Sequence, residues 1–272
     1  MFSFLISCYS KDDPIFLLES LNSMINQVYE PREIIIVKDG LLTEELDNVI
    51  ERFKVSASKN IDIYLKELPE NRGLGFALKE GTKLCTQKYI VRQDSDDISR
   101  KDRLKTLKKY LDKNPDIDVL GTYIYEFSDD QKSGLVRKVP LSKEEITKYA
   151  YLRNPINHVS ACIKRDFFDK FSYKSVLFHE DYFLWIEGIN NDALFMNIPE
   201  ITVDVRVGND MISRRRGFSY LKHEINFLTK CYQYRYFSFL NCINYLSIRI
   251  VLRFLPTNLL KFVYNKVLRS SS

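Results

Sequence analysis

The stretch Tyr89-Ile90-Val91-Arg92-Gln93-Asp94-Ser95-Asp96-Asp97 passes from a short apolar run into three carboxylates within four residues. The apolar part predicts a buried strand. Carboxylates gathered at the end of such a strand repel one another unless a positive charge sits among them. Hard carboxylate oxygens suit Mg²⁺ or Mn²⁺, so a divalent cation is one solution. The other is that Asp94 to Asp97 cap a helix starting near Arg100, because acids favour the positive end of a helix. The stretch alone leaves both readings open, and the chain around it decides.

Upstream, apolar runs alternate with helical patterns. Phe2 to Tyr9 is a near-continuous apolar strand. Asp12, Asp13 and Pro14 open a helix, with Ile15, Leu18, Leu21 and Ile25 as its apolar stripe. Glu33 to Val37 predicts a second buried strand, ending at Lys38-Asp39-Gly40. Thr43 starts a helix through Lys54 with Leu46, Val49, Ile50 and Phe53 on one face, and Ile61 to Leu65 reads as a strand. Asn71-Arg72-Gly73-Leu74-Gly75 leads into a helix to about Leu84, followed by the strand Lys88 to Arg92. This β-α-β-α-β-α-β order predicts an α/β fold: an open, mostly parallel sheet with helices on both faces. Such sheets bind ligands at the carboxyl ends of their strands. Asp39, Arg72, Asp94 and Asp96 all fall just past predicted strand ends or in the loops beyond, which favours a binding site over a helix cap.

Downstream, a basic amphipathic helix is predicted from about Lys101 to Asn114. Val119 to Phe127 and Leu135 to Val139 read as a hairpin around the turn Ser128 to Gly134, and Lys143 to Leu152 as a helix. A loop, Asn154 to His158, enters the strand Val159 to Lys164. Phe178-His179-Glu180-Asp181-Tyr182 precedes a helix carrying Phe183, Leu184, Trp185, Ile186 and Ile189. Asp181 is either an acid favoured by the helix N-terminus or a base near a metal site. Phe195 to Ile198 and Ile201 to Val207 predict two further short strands.

The 272 residues suffice for a sizeable core. Five cysteines without paired spacing read as reduced thiols of a cytosolic protein. The apolar start, MFSFLISCYSKDD, has no basic leader region or small-residue cleavage site, so a first strand is expected there. Charge is unevenly spread. From Met211 onward there are eleven Lys or Arg against one acid, Glu224, whereas the first 210 residues carry 30 basic and 35 acidic side chains. Arg214, Arg215 and Arg216 open a helical stretch with Phe218, Leu221, Ile225 and Leu228 at helical spacing. Tyr232 to Leu255 is aromatic and apolar, but its longest charge-free run, Tyr236 to Ile248, is too short to span a bilayer. Basic residues interleaved with Phe, Tyr and Leu fit a helix lying on an anionic membrane surface, or one packed on the body or a second subunit. Nucleic acid is not an expected partner.

The segments FSFLISCYS, IIIVKDG with LTEELD, ENRGLGFAL, VRQDSDDI, HEDYFLW and VRVGNDMISRRRG occur in an order that resembles the family 2 glycosyltransferases of the GT-A fold. More narrowly, the chain is similar to bacterial enzymes that elongate lipid-linked repeat units of O-antigen, capsule and related exopolysaccharides. The resemblance covers nearly the whole chain. It implies a catalytic domain over residues 1–210, with a nucleotide-sugar half to about 98 and an acceptor half from about 99, and a membrane-associating helical tail over 211–272. It places Tyr9, Asp39, Arg72, Asp94 and Asp96 around a UDP-sugar, with Asp96 and Asp94 holding Mn²⁺ or Mg²⁺. Asp181 takes the place of the general base. His158, Glu180 and Arg214, Arg215 or Arg216 are placed near the acceptor or a diphosphate. Ser10 departs from the pattern, since many relatives carry Asn after the tyrosine.

The residue types suit the chemistry so implied. A nucleoside diphosphate leaves readily only once its charge is neutralised, and an acceptor hydroxyl needs an aligned base. One base and direct displacement invert the anomeric centre. The resemblance implies a β1,3 linkage from UDP-glucose or UDP-galactose to a GlcNAc- or GalNAc-type sugar on polyprenyl diphosphate, at the cytoplasmic face of the inner membrane. Two other readings are weighed against it. A sugar nucleotidyltransferase would carry a glycine-rich phosphate loop where this chain has Ser10-Lys11-Asp12-Asp13. A non-catalytic membrane-surface protein would have no need of Asp39, Asp96 and Asp181.

Overall fold

The computed structural model describes residues 1–57, 60–128, 134–208, 217–256, 259 and 270–271. Arg214 to Arg216, most of the expected hairpin turn and nearly all of the expected helix from Leu259 to Leu268 lie outside them.

The first half is built as its apolar pattern predicts. Strands β1 (Phe2–Cys8), β2 (Glu33–Lys38), β3 (Asp62–Glu67) and β4 (Tyr89–Gln93) run parallel in the order β4-β1-β2-β3. Helices α1 (Pro14–Ile25), α2 (Glu44–Ser56) and α3 (Leu74–Thr82) make the crossovers. Neighbouring residues of a strand point to opposite faces, and here both faces are covered. Phe4 and Ile6 of β1 pack with Leu21 of α1 and Phe53 of α2. Leu5 faces the other way, toward Ala77 and Leu78 of α3.

The second half adds β5 (Ile98–Ser99), α4 (Arg103–Lys113), β6 (Val119–Phe127), β7 (Leu135–Arg137) and α5 (Lys143–Ala150). It continues through β8 (Cys162–Lys164), α6 (Phe167–Lys170), α7 (Glu180–Asn190) and β9 (Phe195–Arg206). β8 lies antiparallel between β4 and β6, and β9 runs parallel to β6 along its length, so the sheet as a whole is mixed. β6 and β7 pair antiparallel, as a hairpin requires.

Three local expectations change, and one alternative, the helix cap at Asp94 to Asp97, falls away. α1 buries Leu17, Leu21 and Met24, while Ile15 and Leu18 are exposed: Asp13 accepts the backbone N–H groups of Ile15 and Phe16, and the helix so started turns a different stripe inward. Asp94 to Asp97 cap no helix. α4 begins only at Arg103, after β5 has paired with β9. The two short strands expected around residue 200 are one strand, β9, whose register to β6 shifts near Tyr123, so that a bulge absorbs the Pro199-Glu200 interruption. Before β8, the segment expected as strand from Val159 is a 3₁₀ turn, His158–Ser160, held by the Ser160 hydroxyl on Thr122 and Asn157 carbonyls.

The last two helices, α8 (Gly217–Gln233) and α9 (Phe239–Phe254), form an antiparallel pair against α7. Phe227, Phe237 and Tyr245 are buried with Tyr182, Phe183 and Ile186. Packing on the body, one of the alternatives the sequence leaves open, is thus what their inner face does. Their outer face is different: Phe239, Leu240, Ile243, Val251 and Phe254 are exposed.

Candidate active site

Three loops meet at the carboxyl edge of the parallel strands. After β2, Asp39 is buried and accepts the N–H of Arg72 on Oδ1 (2.8 Å) and that of Gly73 on Oδ2 (2.9 Å), fixing the loop before α3. The two loops touch so closely that a Cβ on Gly40 would lie 2.7 Å from the Asn71 nitrogen, and Gly40 also has a positive φ of 86°. The Arg72 guanidinium lies 3.6 Å from the Phe76 ring centre. After β1, half-exposed Tyr9 donates its N–H to Asp12, which also hydrogen-bonds Ser95 of the acidic turn.

The acidic turn is held from below. Gln93 donates to the Ser20 hydroxyl (3.0 Å) and the Asp97 carbonyl (2.7 Å), and accepts from Ser99 and Arg103. Arg103, fully buried, also donates to the Arg92 and Val159 carbonyls, each at 2.8 Å. From above, the Arg206 N–H donates to Asp97 and its side chain reaches Glu19 (2.6 Å) over the Phe16 ring. Asp97 is therefore turned inward, while buried Arg92 pairs with Asp94. Sequence reading did not single out Gln93, Arg103 or Arg206. Polar residues inside an apolar strand and on the buried side of a basic helix are the signal that marks them.

The turn is short of positive charge. Asp96 keeps an exposed surface, yet burial by the protein around it, then Asp94 and Asp12, push its carboxyl up to about 6. Asp12 is also pushed up to about 6, by burial first. Carboxylates that resist ionising in company are relieved by a cation, and the donors here are all oxygen, which suits Mg²⁺ or Mn²⁺. Among the described residues no three His, Cys, Asp or Glu side chains form a closed metal cage. The geometry fits an ion held by one or two carboxylates whose remaining positions are filled by water or phosphate.

Asp181, in the first turn of α7, faces the same cleft. It lines a cavity of about 310 Å³ together with Asp94, Asn154 and His158. Asn154 donates to its Oδ2 at 2.6 Å. Burial raises its carboxyl above the usual range, against the Asn154 bond and the nearby Arg137 charge. His158 is held by the Tyr173 hydroxyl (2.9 Å) and lies edge-on to Trp185; burial, then Arg92, keeps it neutral. Among the described residues, Tyr9, Asp39, Arg72, Asp96 and Glu180 are not walls of this cavity.

Glu180 instead packs on α3, with its carboxyl raised to about 7 by burial. A Cβ at Gly75 would lie 2.6 Å from the Glu180 Cγ and 3.1 Å from its Cβ, so nothing bulkier than glycine fits. Gly75→Ala should displace the start of α7, lowering kcat at least about tenfold because small misplacements of a catalytic group are costly. Steady-state kinetics beside a melting curve checks this; a variant with unaltered kcat would separate the Gly75 contact from Asp181.

The profile of the family described as "Glycosyl transferase family 2" matches residues 3–171. An Escherichia coli protein named UDP-Gal:alpha-D-GlcNAc-diphosphoundecaprenol beta-1,3-galactosyltransferase is 34% identical over 98% of this chain and 96% of its own. The chain belongs to glycosyl transferase family 2. The glycosyltransferase is also 32% identical to the amylovoran biosynthesis glycosyltransferase AmsE of Erwinia amylovora, over 98% of both chains. Its fold is that of GT-A glycosyltransferases. The mannosyltransferase PcManGT of Pyrobaculum calidifontis, solved with GDP-Man and Mn²⁺, superposes with a TM-score of 0.65 over 97% of this chain and 81% of that one, at 14% identity. S. aureus TarS 1-349 in complex with UDP-GlcNAc gives 0.64 over 84% and 65%, at 15% identity. The glycosyltransferase spans 45% of the longer TarS structure.

Proposed function

We propose that this glycosyltransferase moves a hexose from a UDP-sugar to a hydroxyl of a sugar carried on polyprenyl diphosphate, with inversion and formation of a β1,3 linkage. The observation that carries the reading is that Asp94 and Asp181, distant in sequence, line one cavity. The activity in the name of the Escherichia coli relative supports the linkage and both substrates, with galactose as the favoured hexose.

In this reading Asp39 and Arg72 hold the nucleotide end of the donor, with Tyr9 beside it. Asp94 and Asp96 would hold Mn²⁺ or Mg²⁺, which neutralises charge on the leaving diphosphate. Arg92, paired with Asp94, keeps that carboxylate oriented. Asp181 takes the proton of the attacking hydroxyl, and Asn154 fixes the orientation of its carboxylate. Hydrolysis of a panel of UDP-sugars, with and without manganese, tests the donor. No metal-dependent turnover of any UDP-sugar would reject it.

The exposed side of α9 suits the surface on which a polyprenyl acceptor sits, so we place the enzyme peripherally on the cytoplasmic face of the membrane. No described helix is long and apolar enough to cross a bilayer. Deleting the tail is a poor test, because Phe237 and Tyr245 are core residues and losing each costs about 3–5 kcal/mol. Substitution on the outer face is cleaner. Leu240→Glu with Val251→Glu should abolish flotation with anionic liposomes and leave UDP binding intact. Flotation equal to that of the unaltered enzyme would remove α9 from the membrane contact.

A further inference from the structure

The cavity that holds Asp181 extends away from Asp94 toward the α8–α9 pair, where its walls become cationic. Arg153 lines it and, among the described residues, has no carboxylate partner; its guanidinium lies 6.0 Å from the Tyr149 ring centre. Arg249 of α9 donates to the Leu152 carbonyl at 3.1 Å, next to Arg153. Its Nε makes no hydrogen bond and stands 3.5 Å from Glu224. That carboxylate is already bound through both oxygens by Arg253 (2.6 and 3.1 Å), so Arg249 and Arg253 share one carboxylate. Two guanidinium groups thus line one cavity, Arg153 with no carboxylate partner among the described residues and Arg249 sharing a single carboxylate with Arg253.

Their position relative to the base is set by the chain. Arg153 precedes Asn154, the residue hydrogen-bonded to Asp181, and Arg249 is held one residue further back. Neighbouring Cα atoms are about 3.8 Å apart, so the backbone of Arg153 and the carbonyl that holds Arg249 both lie within a few ångströms of Asn154. The outer side of α9 is the exposed apolar face. Passing from Asp181 outward, the molecule therefore presents a base, then two arginines, then an apolar surface.

We infer that Arg153 and Arg249 seat the diphosphate of the acceptor. The inference rests on the proposed function and deepens it. An acceptor whose reactive sugar is joined directly to diphosphate and then to a lipid has a hydroxyl, two phosphates and an apolar chain in this same order. Guanidinium groups bind phosphate oxygens through charge-assisted, often paired hydrogen bonds. The donor's diphosphate has the same chemistry, but on the proposed function it belongs with the ion at Asp94 and Asp96, and of these two Asp94 lines the cavity.

The test uses two acceptors with one sugar in common: an N-acetylhexosamine α-linked to diphosphate bearing a short phenylalkyl chain, and its uncharged phenyl glycoside. Arg153→Gln and Arg249→Gln should each raise KM for the first at least about tenfold, leaving KM for the second and for the UDP-sugar unchanged. Equal losses on both acceptors overturn the assignment, and a rise confined to the donor KM gives the arginines to the donor instead. Arg153 has no ion pair to lose, so its variant decides the matter if Arg249→Gln misfolds. Should the unaltered enzyme use neither acceptor, the proposed function fails separately. Inorganic pyrophosphate titrated into UDP-saturated protein then still judges the subsite: binding weakened about tenfold by Arg153→Gln supports it, and no binding to the unaltered protein overturns it.

Discussion

Asp181→Asn is expected to lower kcat by about 10²–10⁴-fold, the usual contribution of a positioned general base. Asparagine has nearly the same shape and can still accept the Asn154 hydrogen bond, so the fold and the affinity for UDP should persist. The pH profile makes the test specific. Burial raises the Asp181 carboxyl, so it keeps its proton to a higher pH than the usual value of about 3.9. A base must be empty to act, so kcat should rise with pH through that raised value and level off above it. The residual rate of the asparagine variant should lack this limb. A fully active Asp181→Asn enzyme would remove the residue from the mechanism.

Asp96→Asn carries the second large expectation. Loss of one metal-binding carboxylate should reduce transfer by about a thousandfold, since the charge stabilisation supplied by a bound ion is worth several kcal/mol. The protein itself should not suffer. The Asp96 carboxyl is raised to about 6 by burial and by Asp94 and Asp12, so its charge at pH 7 is held at a cost to the fold, and the neutral amide removes that repulsion. The melting temperature without metal should hold or rise while the heat of manganese binding in the presence of UDP disappears. Calorimetry that shows unchanged manganese binding would pass the metal to other residues.

The strand-and-loop frame of this site was readable from sequence because it rests on local patterns. Apolar runs such as Glu33 to Val37 predict strands, and parallel strands bring their ends together, so Asp39, Asp94 and Asp96 fall along one edge. What could not be read depends on distant contacts. Nothing local tells that both oxygens of Asp39 hold the loop at Arg72 and Gly73, or that Glu180 leans on Gly75 while its neighbour Asp181 turns to the cavity. The α1 stripe failed for a related reason: 3.6-residue spacing admits more than one apolar face, and the packing partner chooses. The basic tail was legible as amphipathic, but not as a structure with two apolar sides, because a helix buried on one side by its own body reads like one meant for a surface.

The dual use of α9 has a geometric consequence. With 16 residues it is a rod about 24 Å long and, with its side chains, about 10–12 Å across. One flank closes the cleft and the other is the outer skin, so the helix acts as a spacer of set thickness. On the proposed function, the height of Asp181 above the leaflet is then fixed by a rigid cylinder, not by a tether. Acceptors would be sorted by reach: a sugar next to the lipid's head group arrives level with the base, and one at the tip of a longer glycan overshoots it.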